Sequence, residues 1–250
     1  MLESMKKLCF YIQKGGVGKT SISGNVADAI ARLGHKTVIV DCDPQGNATS
    51  WLYPEKLEKD IAHVLNGTAG VAEVIREITP KLFLLPAIAI GGDLKKWSET
   101  ELIQNPKAFE CLNEDLAKLG FELAVYDCSP SFPQLERAVL AEMDEVINPL
   151  PPEFFSIDGI ETFTYELGKI EKAHRRTIIN NKIVVSMMNL SFARHREFHK
   201  ELSKLKYRIF TIPQDSKVAE CQIAHQPVCH FARSARAVPA FEAIAKAIVG

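Results

Sequence analysis

The run Lys14-Gly15-Gly16-Val17-Gly18-Lys19-Thr20-Ser21 gathers three glycines, two lysines and two hydroxyls into one short stretch. Those residue types in that order suit phosphate. Glycines let the backbone curl until successive N–H groups point inward at phosphate oxygens. A helix that begins where the glycines end adds the positive end of its dipole at the same place. Lys19 is then positioned to neutralise the β- and γ-phosphates of a nucleotide, and the Thr20 hydroxyl to ligate Mg²⁺. A glycine pattern alone carries little weight, so its context matters. Here the apolar run from Leu8 to Gln13 reads as a strand leading into it. A helix is expected from about Lys19 to Leu33, with Ile22, Val26, Ala29, Ile30 and Leu33 on one stripe and Gly34 closing it.

The elements that must hold this loop alternate along the chain. Thr37 to Val40 reads as a strand ending at Asp41, linked to the first strand by a tight βαβ unit. Trp51 to Ala108 is harder to read: short helices at Ile61 to Leu65 and Val71 to Ile78, and a strand at Lys81 to Pro86. Beyond it the pattern gives a helix near Lys107 to Leu119, a strand at Leu123 to Tyr126, a helix at Leu135 to Glu142 and a strand at Glu145 to Leu150. A long helix at Ser156 to Lys172, a strand at Ile183 to Met188, a helix at Glu197 to Leu205, a strand at Arg208 to Ile212 and a closing helix at Val238 to Val249 complete it. Such alternation, without repeats or low-complexity linkers, predicts an α/β fold: a mostly parallel twisted sheet flanked by helices, in one domain spanning residues 1–250.

The phosphate loop departs from the general pattern, which sets its first glycine four residues before the Gly-Lys-Thr triplet. The loop carries a second lysine, Lys14, at its start, and so resembles the deviant Walker A motif of the ParA/MinD/NifH superfamily. The run Val38-Ile39-Val40-Asp41-Cys42-Asp43-Pro44-Gln45-Gly46-Asn47 is similar to that family's second motif. Leu123-Ala124-Val125-Tyr126-Asp127-Cys128-Ser129-Pro130-Ser131 is similar to its Walker B segment, with Ser129 where many relatives have proline or threonine. Ile212-Pro213-Gln214-Asp215-Ser216-Lys217-Val218-Ala219-Glu220 resembles the segment that lies against the adenine ring and runs into a helix, with Gln214 where arginine is usual.

The resemblance spans nearly the whole chain and implies a P-loop ATPase using ATP/ADP and Mg²⁺. By it, Lys14 reaches across a dimer interface to the partner's nucleotide, and Asp43 positions the attacking water and senses the γ-phosphate. Lys14, Lys19 and Asp43 are then the catalytic set. Gly15, Gly16, Val17, Gly18, Lys19, Thr20 and Ser21, with Pro213 and Asp215, hold the nucleotide; Thr20, Asp127 and Asp43 form the metal side.

Bulk properties narrow the choice of function. Thirty basic residues face thirty-one acidic ones, for a net charge of -1, so any nucleic-acid surface must be local. No apolar run reaches the roughly 20 residues of a membrane span. The start runs straight into a strand without room for a signal peptide, and a cytoplasmic location is expected. Six cysteines lack metal-site spacing and read as free thiols packed as small apolar side chains. Cys42 and Cys128 occupy middle positions of motifs, unlike the loop cysteines that bridge an iron–sulfur cluster in the NifH branch. The closing helix is alanine-rich with Lys246 as its only basic residue, which suits core packing rather than a MinD-type membrane anchor.

Basic residues gather between Lys169 and Arg208: Lys169, Lys172, Arg175, Arg176, Lys182, Arg194, Arg196, Lys200, Lys204, Lys206 and Arg208, against Glu171, Glu197 and Glu201. They could form an ordinary solvated face. So strong a local excess on a neutral chain also suits phosphate contacts without base readout. The resemblance places DNA contacts at Arg194, Arg196 and Lys217. Without an N-terminal helix-turn-helix extension, the chain resembles the short, Soj-like ParA form. It implies a DNA-partitioning ATPase: an ATP-dependent homodimer that binds DNA nonspecifically on the nucleoid and is reset by a ParB-like partner. A positioning ATPase for a non-DNA cargo and a metabolic P-loop enzyme are the alternatives. Against the latter, no acid/base or nucleophile constellation stands outside the phosphate machinery.

Overall fold

The computed structural model describes residues 5–130, 133–153 and 156–250. Its strands are β1 (Lys6–Phe10), β2 (Thr37–Asp41), β3 (Arg76–Thr79), β4 (Leu82–Leu85), β5 (Leu123–Asp127), β6 (Glu145–Leu150), β7 (Lys182–Met188) and β8 (Arg208–Pro213). The helices are α1 (Lys19–Arg32), α2 (Asn47–Leu52), α3 (Ile61–Leu65), α4 (Val71–Val74), α5 (Leu94–Thr100), α6 (Ala108–Lys118), α7 (Pro133–Glu142), α8 (Ser156–His174), α9 (Ala193–Leu202), α10 (Lys217–Ile223), α11 (Val228–Phe231) and α12 (Val238–Val249). The strands form one sheet in the order β3-β4-β2-β5-β1-β6-β7-β8, parallel except for β3. A parallel sheet buries both faces, and two apolar layers result.

The βαβ link between β1 and β2 spans an inserted strand, because β5 lies between them and pairs with both. That insertion sets Asp127 beside Asp41 in register. The helix expected over Val71 to Ile78 stops at Val74, where Ile75 turns extended. Arg76–Thr79 instead pairs antiparallel with β4 through a turn at Pro80-Lys81, with Lys81 at φ +69°. β-branched Ile78 and Thr79 suit the extended backbone of an edge strand better than another turn of helix. Leu33, expected on the core stripe of α1, ends the helix 44% exposed, whereas Ile22, Val26, Ala29 and Ile30 are buried. α12 buries Phe241, Ile244, Ala245 and Ile248 against the sheet, as its pattern suggested. Among the described residues no helix is long and apolar enough to cross a membrane, and all the cysteines are free thiols.

α1 has a second buried face that hydrophobic patterning does not show. Ser21, Asn25, Asp28 and Arg32 recur at helical spacing, and Asn25 and Asp28 are almost fully buried. Asn25 Oδ1 accepts the Val228 N–H at 2.7 Å; His230 Nε2 lies 2.8 Å from Asp28 Oδ1, and Arg32 Nε donates to Asp28 Oδ2 at 3.0 Å. The segment after β8 is thus tied along α1 by polar groups, each with a partner, as burial requires.

Glycine spacing in the helices yields a paired stability test. A Cβ at Gly24 of α1 would overlap the buried Trp51 ring, while one at Gly168 of α8 meets nothing within 4 Å. We expect Gly24→Ala to lower stability by about 1–3 kcal/mol. Gly168→Ala should raise it by about 0.5–1 kcal/mol. Urea denaturation measures both.

Candidate functional site: a phosphate cradle at the ends of parallel strands

The loop between β1 and α1 has the shape its glycines predict. Gly16 and Gly18 adopt φ of +71° and +87°, a region costly for residues with a Cβ. Gly18 is also the N-cap of α1. The loop is braced from outside: Ser186 Oγ of β7 donates to the Val17 carbonyl at 2.9 Å. Lys19 Nζ donates to the Lys14 carbonyl at 2.7 Å, across the loop. Burial pushes the Lys19 ammonium below its ordinary pKa, against the pull of Asp127, Cys128, Glu136 and Asp43.

The carboxylates arrive from β2 and β5. Asp127 is buried; burial, opposed by hydrogen bonds from Thr20 and Ser23, raises its pKa to about 6. Its Oδ1 accepts from Ser23 Oγ at 3.3 Å, while its Oδ2 is buried without a hydrogen-bond partner. An orphaned carboxylate oxygen beside the Thr20 hydroxyl at the mouth of a phosphate loop fits the oxygen ligation Mg²⁺ requires. Thr20 and Asp127 are the residues that would hold it. Asp41, fully buried, is raised to about 8 by burial and by Asp127. Its oxygens accept the Asp43 N–H, the Thr49 N–H and the Thr49 hydroxyl at 3.1, 2.9 and 2.7 Å. Thr49 in turn accepts from the Ala87 N–H at 2.9 Å. Asp41 therefore builds the turn that presents Asp43. Asp43 lines the cavity, and its carboxylate accepts from Gln45 N and Asn47 Nδ2 at 2.9 and 3.1 Å. Ser131 lies outside the described residues.

A cavity of about 730 Å³ joins the loop residues Gly15 to Ser21 with Asp43, Ser129, Met187, Pro213, Gln214, Asp215 and Gln222. Pro213 lines this cavity at the end of β8. Asp215 lines it too but spends its carboxylate on the chain: Oδ1 accepts the Lys217 N–H at 3.0 Å and Oδ2 the Ala237 N–H at 3.2 Å. Gln214 is held by its N–H to the Met188 carbonyl at 2.8 Å.

Lys14 lies at the loop's outer end. Its ammonium pairs at 2.7 Å with Glu153, in the turn between β6 and α8, and holds that carboxyl below its usual range. Both side chains are exposed to solvent. Sequence reading missed Glu153, as it missed Ser186, Thr49 and Gln222, because nothing local marks a residue whose partner lies far along the chain. A polar residue breaking an apolar strand, as Ser186 does, is the one available signal.

The three residues singled out for DNA occupy different settings. Arg194 stands in the first turn of α9 with its guanidinium 5.5 Å from the Phe192 ring centre. Arg196 Nη1 donates to the Leu190 and Ser191 carbonyls at 2.6 and 3.0 Å, so it also holds a loop together. Lys217 on α10 pairs with Glu220 at 2.6 Å. Of the wider basic group, Lys169, Arg176, Lys182 and Lys204 are committed to ion pairs. Among the described residues, Lys172, Arg175, Arg194, Lys200, Lys206 and Arg208 make no ion pair.

Residues 5–185 match the family model described as an AAA domain. The chain is 37% identical over 236 residues to an uncharacterized protein of Borreliella burgdorferi, covering 94% of this chain and 95% of that one. It is 28% identical to a chromosome-partitioning ATPase Soj of Treponema pallidum, over 98% of this chain and 97% of that one. The fold matches that of a putative plasmid partition protein from Borrelia burgdorferi, solved with AMPPNP, with a TM-score of 0.81, 18% identity and 98% coverage of both chains.

The carboxyl cluster sets a pH dependence. Asp127 and Asp41 have folded-state pKa values of about 6 and about 8, above the unfolded carboxyl value of 3.8. Their stabilising effect is complete below the unfolded value and is lost as pH rises through the folded ones. We expect the melting temperature without nucleotide to fall between about pH 4 and 8, most steeply below about pH 6 where both carboxyls contribute, and Mg²⁺ with ADP to flatten that fall, because a cation offsets the buried negative charge. Differential scanning calorimetry over this range measures it.

Proposed function

Because the chain belongs to the AAA-domain family and to the ParA/MinD superfamily, we propose that it is a ParA-like partitioning ATPase. In this reading it binds ATP and Mg²⁺ in the cradle, closes as a homodimer and, as a dimer, binds DNA of any sequence on the nucleoid. Hydrolysis stimulated by a ParB-like partner returns it to monomers. Its curated relatives include chromosome-partitioning ATPases, which supports the choice within the superfamily.

The observation that carries the dimer is the position of Lys14. The cradle already has its internal cation in Lys19, while the Lys14 ammonium is turned outward into a solvent-exposed pair with Glu153. An exposed pair of this kind costs little to break, so the ammonium is free to exchange Glu153 for a phosphate presented by a second copy. Lys19 and the loop N–H groups hold the phosphates, and Asp43, fixed by Asp41 and Asn47, orients the attacking water. Mg²⁺, held by Thr20 and Asp127, would neutralise charge on the phosphate oxygens.

The unpaired basic residues Lys172, Arg175, Arg194, Lys200, Lys206 and Arg208 are the groups available for DNA phosphates. One subunit reaches few phosphates; two on one rigid dimer multiply them.

Light scattering and fluorescence anisotropy test the reading. Lys14→Ala should bind ATP but remain monomeric, and it should fail to bind DNA. The parent should bind unrelated duplexes with ATP and not with ADP. The double variant Arg194→Glu/Lys200→Glu should weaken binding evenly across sequences, lowering the salt slope by about one for each DNA phosphate that is no longer neutralised. A parent that dimerises on ATP without binding DNA would favour a positioning ATPase for another cargo. Steady turnover without DNA or partner would favour a metabolic enzyme.

A further inference from the structure

The polar face of α1 begins at Ser21, and its hydrogen bond there differs from the others along the helix because it lies inside the nucleotide cavity. Gln222 of α10 donates through Nε2 to Ser21 Oγ at 2.6 Å. Both residues line the cavity, together with Val218 and Ala219 of the same helix. The segment that carries Gln222 is held in place independently. Val228 N–H donates to Asn25, His230 meets Asp28, and Trp51 Nε1 donates to the Gln226 carbonyl at 3.1 Å. Gln222 is therefore presented to Ser21 from a fixed strap and not from a free loop.

The direction of this hydrogen bond has a chemical consequence. A serine hydroxyl has one hydrogen and two lone pairs. An N–H donor from Gln222 occupies a lone pair and leaves the hydrogen unspent. Lys19 and Thr20 face Asp127 and Asp43, on the side where the terminal phosphate belongs. Ser21 Oγ is instead turned to α10, on the part of the cavity lined by Pro213, Gln214 and Gln222. The hydrogen that Gln222 leaves free is thus available to the phosphate nearest the ribose.

We propose that Gln222 is a nucleotide-positioning residue, which by donating to Ser21 Oγ turns the Ser21 hydrogen onto the phosphate that ADP and ATP share. The proposal rests on the reading of the cavity as a nucleotide site. It makes the strap part of the binding machinery: a bound nucleotide, Ser21 and Gln222 form one chain of hydrogen bonds running from the phosphate to α10. Because the phosphate involved is common to both nucleotides, Gln222 sets affinity without distinguishing ATP from ADP. The discrimination between them is left to Asp43, Lys14 and the metal side.

Isothermal titration of Mg-ADP and Mg-ATP into the full chain tests this. Gln222→Met keeps length and removes the donor; it should weaken both nucleotides by a similar factor, on the order of tenfold. Gln222→Glu reverses the polarity, captures the Ser21 hydrogen and adds a negative charge, so it should weaken both more than Gln222→Met. Ser21→Ala should weaken both, and Ser21→Ala/Gln222→Met should bind no more weakly than Ser21→Ala alone, because the glutamine acts through the hydroxyl. A general loss of structure would make the two losses add. Parental affinity in Gln222→Met, parental affinity in Gln222→Glu, or additive losses in the double variant would overturn the proposal while leaving the nucleotide site intact. Lys19→Ala binding ATP as the parent does, or a parent that binds neither nucleotide, would instead overturn the site itself, and the proposal with it.

Discussion

Charged groups are buried together at the carboxyl ends of β1, β2 and β5, and the rest of the molecule is arranged around that burial. Lys19, Asp41, Asp43 and Asp127 are each at most 7% exposed. Charges taken out of water are costly unless neighbours compensate them. Asp41 is compensated by Thr49 and the Asp43 N–H, Asp127 by Thr20 and Ser23, and Lys19 by the Lys14 carbonyl and the surrounding acids. What stays uncompensated, the Asp127 oxygen and the raised carboxyl pKa values, is the electrostatic cost that a cation would relieve. The insertion of β5 between β1 and β2 is what brings these groups within reach of one another.

The same constraint explains the two-sided character of α1. Its apolar stripe anchors the helix to the sheet, so the phosphate loop at its head cannot drift. Its polar stripe is covered by the strap after β8, which supplies one wall of the cavity. A helix covered on both sides transmits position between the sheet and the strap, and the cavity is formed by three parts that depend on one helix. Lys14 escapes this enclosure. It is the member of the loop whose side chain is held at an exposed surface, by Glu153 from the turn after β6.

The basic group between Lys169 and Arg208 shows how a charge pattern divides once the chain folds. Lys182 pairs with buried Glu145, which also meets Lys6 at 2.9 Å, tying β7, β6 and β1 together at the amino ends of the strands. Arg176 closes the α8–β7 connection onto Asp144 and the Ala141 carbonyl. These cations serve the fold. The ones left without acids lie at the end of α8, on α9 and from there to the start of β8. That division follows from which acids the sheet order brings near, and linear spacing carries no trace of it.

The amino-acid sequence by itself determined the fold class, the phosphate loop, most element positions and the acids at the strand ends. Each of these rests on local physics: apolar periodicity, glycine's access to positive φ, and an acid immediately after a buried strand. The ends of β6 and α12 and the short helix α3 were legible to the residue for that reason. Tertiary structure decided the rest. The edge strand β3 formed because a neighbouring strand offered backbone partners that a helix reading could not foresee. Asp215, read from its motif as a nucleotide contact, has its carboxylate directed to two backbone N–H groups, one of them at the start of α12. Glu153, Ser186, Thr49 and Gln222 acquired their roles from partners far along the chain. A hydrogen bond depends on distances of about 3 Å and on direction, and those are set only when the sheet order and the crossing of helices bring distant segments together.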